Sequence, residues 1–162
     1  MEEKTKEQLA KFLQTAKRKT FASVISIPKF YKDKSKEYVY REGDWVYRDR
    51  YYGSEVDTGQ ELVFHKERLI WSMSYRGGML DSKKGLSKKC FSFLKKCLRN
   101  APEDFPVRGP SEFEENNLRY ENSWKGNLED FVGEEKIFLE GEQIYFRNYL
   151  GGSGEPRILS KI

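Results

Sequence analysis

The sequence predicts an α+β domain in which two main helices pack on one twisted antiparallel sheet of six to eight strands. Two segments carry apolar residues at a helical spacing, and the segments between and after them alternate with a period of two. The order of helix and strands then occurs a second time along the 162 residues. Aromatic residues make up 15% of the chain, so rings can supply the core that the 35% of charged residues cannot.

The first helix is expected from about Lys6 to about Thr20. Thr5 and Gln8 have the T-x-x-Q spacing of a capping box, in which each side chain bonds a free backbone N–H at the start of a helix. The apolar stripe of this helix consists of Leu9, Phe12, Leu13 and Ala16. This stripe should face the sheet.

The second helix is expected after Asp81 and Ser82, and the Asn-Ala-Pro run at 100–102 should end it because proline cannot continue the hydrogen-bond ladder. Cys90 and Cys97 lie two helical turns apart, about 10.5 Å along the axis, which is too far for a disulfide. We expect two buried thiols. The apolar face of this helix consists of Leu86, Cys90, Phe93, Leu94 and Cys97.

Seven strands follow from the alternating pattern, and their short glycine-containing connections indicate antiparallel hairpins. The predicted strands are Tyr38–Arg41, Trp45–Tyr52, Glu61–His65, Leu69–Arg76, Leu118–Trp124, Glu134–Leu139 and Gln143–Leu150.

An internal repeat relates the two halves of the chain. Residues 43–53 align with 116–126 at an offset of 73, and residues 59–78 align with 133–152 at an offset of 74. The matched pairs include Tyr47/Tyr120, Gly59/Gly133, Glu61/Glu135 and Tyr75/Tyr149. We therefore expect one domain over 1–162, made by duplication of a helix-plus-meander unit over about 5–80 and 82–152, with a C-terminal tail over 153–162.

Several segments of the chain resemble a bacterial and archaeal domain family of unknown function. They are LAKFLQTAKRKTFAS, REGDWVYRDRYYGSE, GQELVFHKERLIWSMSYRGG and RGPSEF, and the resemblance covers roughly residues 8–152. Members of that family occur alone or behind an N-terminal helix-turn-helix of the XRE type, in proteins labelled as transcriptional regulators. The resemblance implies a cytoplasmic accessory domain and supplies no activity for it. The chain departs from the family pattern at residues 56–58, where Val-Asp-Thr replaces the aromatic that the second repeat has at Phe131.

The leading functional prediction is a non-enzymatic binding or sensory domain that holds a small molecule or a partner segment on an aromatic sheet face. Alternation places Asp49 among aromatic residues in the first repeat and Asn122 among them in the second, and buried polar groups must be hydrogen-bonded. The competing interpretation is that these residues only cap turns or form hydrogen bonds with backbone amides and tyrosine hydroxyls within the sheet. The predicted ligand-binding residues are Tyr47, Asp49, Tyr51, Glu61, Trp71, Tyr75, Tyr120, Asn122, Trp124, Glu135 and Tyr145.

An alternative prediction is association with nucleic acid through the basic face of the second helix. The net charge of −7 over residues 101–150 opposes it, and lysines on an amphipathic helix are commonly just solvated. The residues concerned are Lys83, Lys84, Lys88, Lys89, Lys95, Lys96 and Arg99.

A second alternative is an enzyme that uses Asp49 and Glu61 as an acid–base pair. The single histidine, His65, has Leu139 as its counterpart, which argues against histidine-based hydrolysis. The sequence predicts no catalytic set, no metal site and no cofactor. The N-terminus lacks an apolar signal region and no run approaches the ~20 apolar residues that span a bilayer, so we expect a cytoplasmic protein without a membrane role. The oligomeric state is left open.

Overall fold

A computed structural model describes residues 1–154 of the chain. Helix α1 spans Glu3–Lys19, and helix α2 spans Ser87–Arg99 after a 3₁₀ turn over Asp81–Leu86. The nine strands of the described residues are β1 Lys29–Phe30, β2 Lys36–Glu42, β3 Trp45–Gly53, β4 Val56–His65, β5 Arg68–Met79, β6 Glu112–Glu115, β7 Leu118–Asn127, β8 Asp130–Leu139 and β9 Glu142–Ser153.

All nine strands belong to one antiparallel sheet, in the order β1-β2-β3-β4-β5-β9-β8-β7-β6. The α+β class, the single antiparallel sheet and the two helices are confirmed. The predicted count of six to eight strands is wrong for this part of the chain, because the edge strands β1 and β6 have only two and four residues, which is too short for a period of two to be recognised in the sequence. Each of the seven predicted strands lies inside an observed one.

The start of α1 differs from the prediction. The helix begins at Glu3, and the backbone N–H groups of Thr5 and Lys6 both bond the carbonyl of Glu2, so Thr5 lies in the first turn and not at the cap. No side-chain cap is formed there, and the predicted capping box of Thr5 and Gln8 is therefore wrong. The second helix, by contrast, ends at Arg99, directly before the Asn-Ala-Pro run that was predicted to stop it.

Each helix covers the inner face of one half of the sheet. Leu9 and Leu13 of α1 pack in one hydrophobic cluster with Val63 of β4, and Leu94 of α2 packs in another with Ile137 of β8. Cys90 and Cys97 are buried free thiols, as predicted. The outer face of the sheet carries exposed residues such as Arg48, Gln60, Ser74 and Asn148.

The two halves pair their strands in equivalent registers. Asp49 lies opposite Glu61 in the β3–β4 hairpin, and Asn122 lies opposite Glu135 in the β7–β8 hairpin. Tyr75 of β5 lies opposite Tyr149 of β9 where the halves join. Both β4 and β8 also carry a register irregularity, between Val63 and Phe64 and between Ile137 and Phe138. Origin by duplication stays a prediction.

Residues 155–162, which make up most of the expected C-terminal tail over 153–162, lie outside the described residues. A search of the described residues finds no helix with the length and apolar character that crossing a membrane requires.

Candidate functional site

A small cavity of about 30 Å³ lies between the inner face of β3–β5 and the ends of the two helices. Phe21, which follows α1, and Leu98 of α2 form part of its apolar wall. Six ionisable side chains other than tyrosine line it: Lys17, Asp49, Asp57, Glu61, Arg108 and Arg147. Such a density of charge in a buried space is costly unless each group has a partner.

Lys17 brings a positive charge from α1 into the first half of the site. Its Nζ lies 2.6 Å from Oε2 of Glu61 and donates a second hydrogen bond of 2.6 Å to the carbonyl of Val107. Burial lowers the pKa of Lys17, and the carboxylate of Glu61 opposes that shift. Burial also raises the pKa of Tyr47, with the charge of Glu61 adding to the effect. Glu61 is therefore the anion around which this half is arranged.

Asp49 is the carboxyl group next to Glu61. The hydroxyl of Tyr75 donates a hydrogen bond of 2.6 Å to its Oδ1. Burial, and then the charge of Glu61, raises the pKa of Asp49 to about 7, although the Tyr75 hydroxyl and Lys17 act in the opposite direction. Asp49 can therefore take up or release a proton near neutral pH.

Glu135 occupies the corresponding place in the second half and is fully buried. Arg108 donates to both of its oxygens, through Nε at 3.1 Å and through Nη2. The hydroxyl groups of Tyr120 and Tyr145 donate to it at 2.5 and 2.9 Å. Burial acts to raise the pKa of Glu135, but the attraction and hydrogen bonds of Arg108 hold it below its usual value. This carboxyl group is a fixed anion.

Arg147 connects the two halves. Its Nη1 lies 2.8 Å from Oδ1 of Asp57, its Nε donates to the Tyr145 hydroxyl at 2.7 Å, and its guanidinium lies 4.7 Å from the ring centre of Tyr75. Because Tyr145 in turn donates to Glu135, one continuous polar network runs from the cavity to the second carboxylate.

Asn122 is used differently from its counterpart Asp49. Its Oδ1 accepts a hydrogen bond of 2.7 Å from Tyr149, and its Nδ2 donates one of 2.8 Å to the carbonyl of Gly109. The amide thus ties β7 to the irregular segment that carries Arg108. It does not line the cavity.

The predicted ligand-binding residues fall into three places. Tyr47, Asp49, Tyr51, Glu61 and Tyr75 meet at the cavity. Tyr120, Asn122, Glu135 and Tyr145 form the buried network of the second half.

The two tryptophans of the predicted set lie in the hydrophobic cluster under α1. Trp71 donates to the carbonyl of Leu128 at 3.0 Å and stacks on Phe131, while Trp124 stacks on Phe105 at 4.8 Å between ring centres. They do not line the cavity. The aromatic face is thus covered by the helices instead of forming an open stacking surface.

Sequence reasoning missed four of the charged residues at the cavity. Lys17 lies four residues after Leu13, on the apolar stripe of α1, and Arg147 alternates with the inward residues Tyr145 and Tyr149, so both carried a signal. Asp57 aligns with Phe131 of the second repeat, so the comparison of the repeats gave it no polar counterpart. Arg108 lies in an irregular segment between α2 and β6, where no periodicity could indicate its direction.

Most of the basic residues predicted for nucleic acid have protein partners. Lys83 and Lys84 form ion pairs of 2.8 Å with Glu142 and Asp81, and Lys96 pairs with Glu115. Lys95 donates to the carbonyl of Ser23 at 3.2 Å, and Arg99 donates to that of Ala22 at 2.7 Å. Lys88 and Lys89 are exposed.

The fold and the site define a class of protein: an α+β domain with a covered sheet face and a charged cavity beneath its helices. Residues 49–153 match the model of a family described as a domain of unknown function (DUF5680), and the chain belongs to this family. No curated protein matches the chain. No solved structure matches it either.

Proposed function

We propose that this chain is a non-enzymatic binding or sensory domain that holds a small polar ligand at the cavity beside Asp49. This proposal is supported by the balance of charges in the polar network at the cavity, which contains three cations and four carboxyl groups. The three cations Lys17, Arg108 and Arg147 pair with Glu61, Glu135 and Asp57 respectively. Within residues 1–154, Asp49 is left with the Tyr75 hydroxyl as its hydrogen-bonding neighbour and has no cation of its own.

The unmatched carboxyl group suggests the chemistry of the ligand. A group that donates hydrogen bonds, above all an amine or other cation, would offset the charge of Asp49 once the carboxyl ionises. About 30 Å³ is room for one or two water molecules. A larger ligand, or a partner segment, requires Phe21 and Leu98 to move outward, and ring stacking would then involve Tyr51 and Tyr75.

The wider setting follows from the resemblance and the repeat. We propose that the equivalent registers of the two halves reflect duplication of a helix-plus-meander unit. The chain would act in the cytoplasm as an accessory domain, as its likeness to domains found with helix-turn-helix regulators implies.

A thermal-shift screen of the full chain tests the binding proposal. Wild type and Asp49→Asn are screened against amine-containing and neutral metabolites at about pH 8, where Asp49 is ionised. We expect at least one amine to raise the melting temperature of wild type and to lose this effect in Asp49→Asn. Asp33→Asn, which removes an exposed carboxylate on the loop before β2, is the matched control and should respond like wild type. A broad panel without a single shift would contradict the proposal.

One observation favours carboxylate-based catalysis as a second candidate. Asp49 and Glu61 lie on the same face as direct cross-strand neighbours, and their environments differ because Lys17 pairs with Glu61. A proton donor and a proton acceptor could thus act on one bound molecule. If a ligand from the screen is converted, both Asp49→Asn and Glu61→Gln should abolish turnover. Recovery of the ligand unchanged after prolonged incubation would count against catalysis.

Nucleic-acid association through α2 stays a prediction. The ion pairs of Lys83 and Lys84 in the 3₁₀ turn, and of Lys96 in α2, reduce the charge that this region can offer to phosphate. Gel-shift assays at ~50 mM salt that show no retarded species would reject it.

A further inference from the structure

The segment that follows α1, up to and including the two-residue strand β1, exposes an unusual amount of apolar surface. Residues 24–30, here the apolar loop, contain Val24, Ile25, Ile27 and Phe30, whose exposed fractions are 81%, 85%, 80% and 66%. The other exposed large apolar side chains of the described residues reach 38–60%. Contiguous apolar exposure of this kind marks a surface that contacts another apolar phase.

The loop is held at both ends. The hydroxyl oxygen of Ser23 accepts hydrogen bonds from the backbone N–H groups of Ile25 and Ser26, and Lys95 of α2 donates to the carbonyl of Ser23. At the other end, Phe30 pairs with Lys36 in the β1–β2 ladder. The apolar side chains are therefore presented outward from a fixed base.

Basic residues surround the apolar loop in the sequence. Residues 18–36 contain six Lys/Arg and one acid, Asp33. Asp33 forms an ion pair of 3.0 Å with Arg50, so its charge is already matched. The exposed cations are Arg18, Lys19, Lys29, Lys32 and Lys34. The occupant of this surface should therefore be both apolar and anionic.

We propose that the apolar loop inserts into the interfacial region of an anionic lipid bilayer. A side chain with four-fifths of its surface in solvent protrudes from the protein. It can insert into another apolar phase, but it does not form a groove that a partner could fill. A bilayer accepts inserted side chains without a preformed groove, and its anionic headgroups attract the flanking cations. The prediction against a membrane role rested on the lack of an apolar run long enough to span a bilayer, and a loop that enters only the interfacial region needs no such run.

Vesicle co-sedimentation of the full chain tests the proposal. Wild type should pellet with vesicles of equimolar phosphatidylcholine and phosphatidylserine, and at least about tenfold less tightly with phosphatidylcholine alone. Ile25→Ser/Ile27→Ser should weaken binding to the mixed vesicles by at least about tenfold, because two inserted side chains lose their apolar surface. The matched control is Val132→Ser/Leu150→Ser, which removes two exposed apolar side chains from the outer face of β8 and β9 and should bind like wild type.

Three results would overturn the proposal: no pelleting of wild type with the mixed vesicles at low salt, equal binding to both lipid compositions, or equal binding of the loop variant and its control. An acidic amphipathic peptide serves as the comparison probe. If the peptide binds through the loop while the vesicles do not, the surface belongs to a protein partner. Unchanged melting temperatures show that both double variants remain folded.

Discussion

Tyr75 and Tyr149 lie opposite each other on the two central strands, and each reaches across a glycine to a polar residue two strands away. The hydroxyl of Tyr75 passes Gly59 and donates to Asp49, and that of Tyr149 passes Gly133 and donates to Asn122. The arrangement is the same in both halves, but the acceptor is an acid in one and an amide in the other. This difference makes the first half sensitive to pH.

Replacing Asp49 with the amide of its counterpart should remove that sensitivity. The pKa of Asp49 is about 7 in the folded protein against an ordinary value of 3.8. Between these values the folded state binds a proton that the unfolded chain has released, so the free energy of unfolding falls as pH rises, by up to about 1.4 kcal/mol per pH unit. Asp49→Asn should therefore be more stable than wild type at about pH 8 by on the order of 4 kcal/mol, because the two pKa values lie roughly three pH units apart, and similar to it at about pH 4.

Urea unfolding of both proteins across this range checks the prediction. The exposed Asp33 serves as a control of opposite sign, because its hydrogen bonds with Ser35 hold its pKa below the usual value. Asp33→Asn should lose stability relative to wild type at neutral pH, and the difference should shrink as pH falls and wild-type Asp33 becomes protonated. A stability difference between Asp49→Asn and wild type that does not change with pH would contradict the assignment.

Gly59 should not tolerate a side chain. A β-carbon there would lie 2.6 Å from the Tyr75 hydroxyl oxygen and 2.6 Å from the carbonyl oxygen of Arg50, and backbone cannot move aside easily. Gly59→Ala should lower the free energy of unfolding by about 1–3 kcal/mol. A β-carbon on Gly85, in the 3₁₀ turn, would meet no other atom within 4 Å, so Gly85→Ala is the matched control. Thermal unfolding that ranks the two variants equally would count against this packing argument.

Lys17 and Glu61 should be strongly coupled. Their side chains are 7% and 4% exposed, so removing one partner leaves a buried charge alone. Lys17→Met should cost about 3–5 kcal/mol of unfolding free energy, and adding Glu61→Gln should recover a large part of it.

The ion pair of Lys6 and Glu129 provides the comparison. It joins side chains that are 31% and 29% exposed, and Lys6→Met should cost far less unfolding free energy than Lys17→Met, because water screens an exposed ion pair. A double-mutant cycle measured by urea unfolding yields both coupling energies. Additive effects of Lys17→Met and Glu61→Gln would show that the buried pair is not a unit.

Cys90 and Cys97 should be unreactive in the folded protein. Burial, and then the charge of Glu135, raises the pKa of Cys90 to about 12, and burial raises that of Cys97 as well. Labelling by a thiol reagent such as dithiobis-nitrobenzoate should be at least about a hundredfold slower in buffer than in concentrated urea. Rapid labelling of one thiol in buffer would indicate local opening of α2.

The features that could be predicted from the sequence are those that produce a regular spacing of apolar residues. Alternation located seven strands and placed Asp49, Glu61 and Glu135 on the covered face, because a strand fixes the direction of every second side chain. It could not reveal β1 and β6, which are held by pairing with a longer neighbour instead of by their own pattern.

The features that the sequence could not predict lie in the candidate site. Arg108 reaches Glu135 from an irregular segment, and only tertiary packing decides where such a side chain points. The helical spacing places Lys17 on the apolar stripe of α1, but a lysine near the end of an amphipathic helix is ordinarily solvated, so only its buried partner Glu61 reveals its role. The size of the cavity depends on how closely Phe21 and Leu98 pack over it, which no sequence pattern records.

The two similar halves of the sheet meet where β5 pairs with β9, and both belong to one covalent chain. Two identical subunits meeting across the same strands would have to carry the same residue at both equivalent positions, including the cost of burying a carboxyl group twice. A single chain is free of that obligation. It can keep a titrating acid at Asp49 and a permanently neutral amide at Asn122, and it can set Asp57 where the other half has Phe131. One half can thus specialise while the other preserves the scaffold.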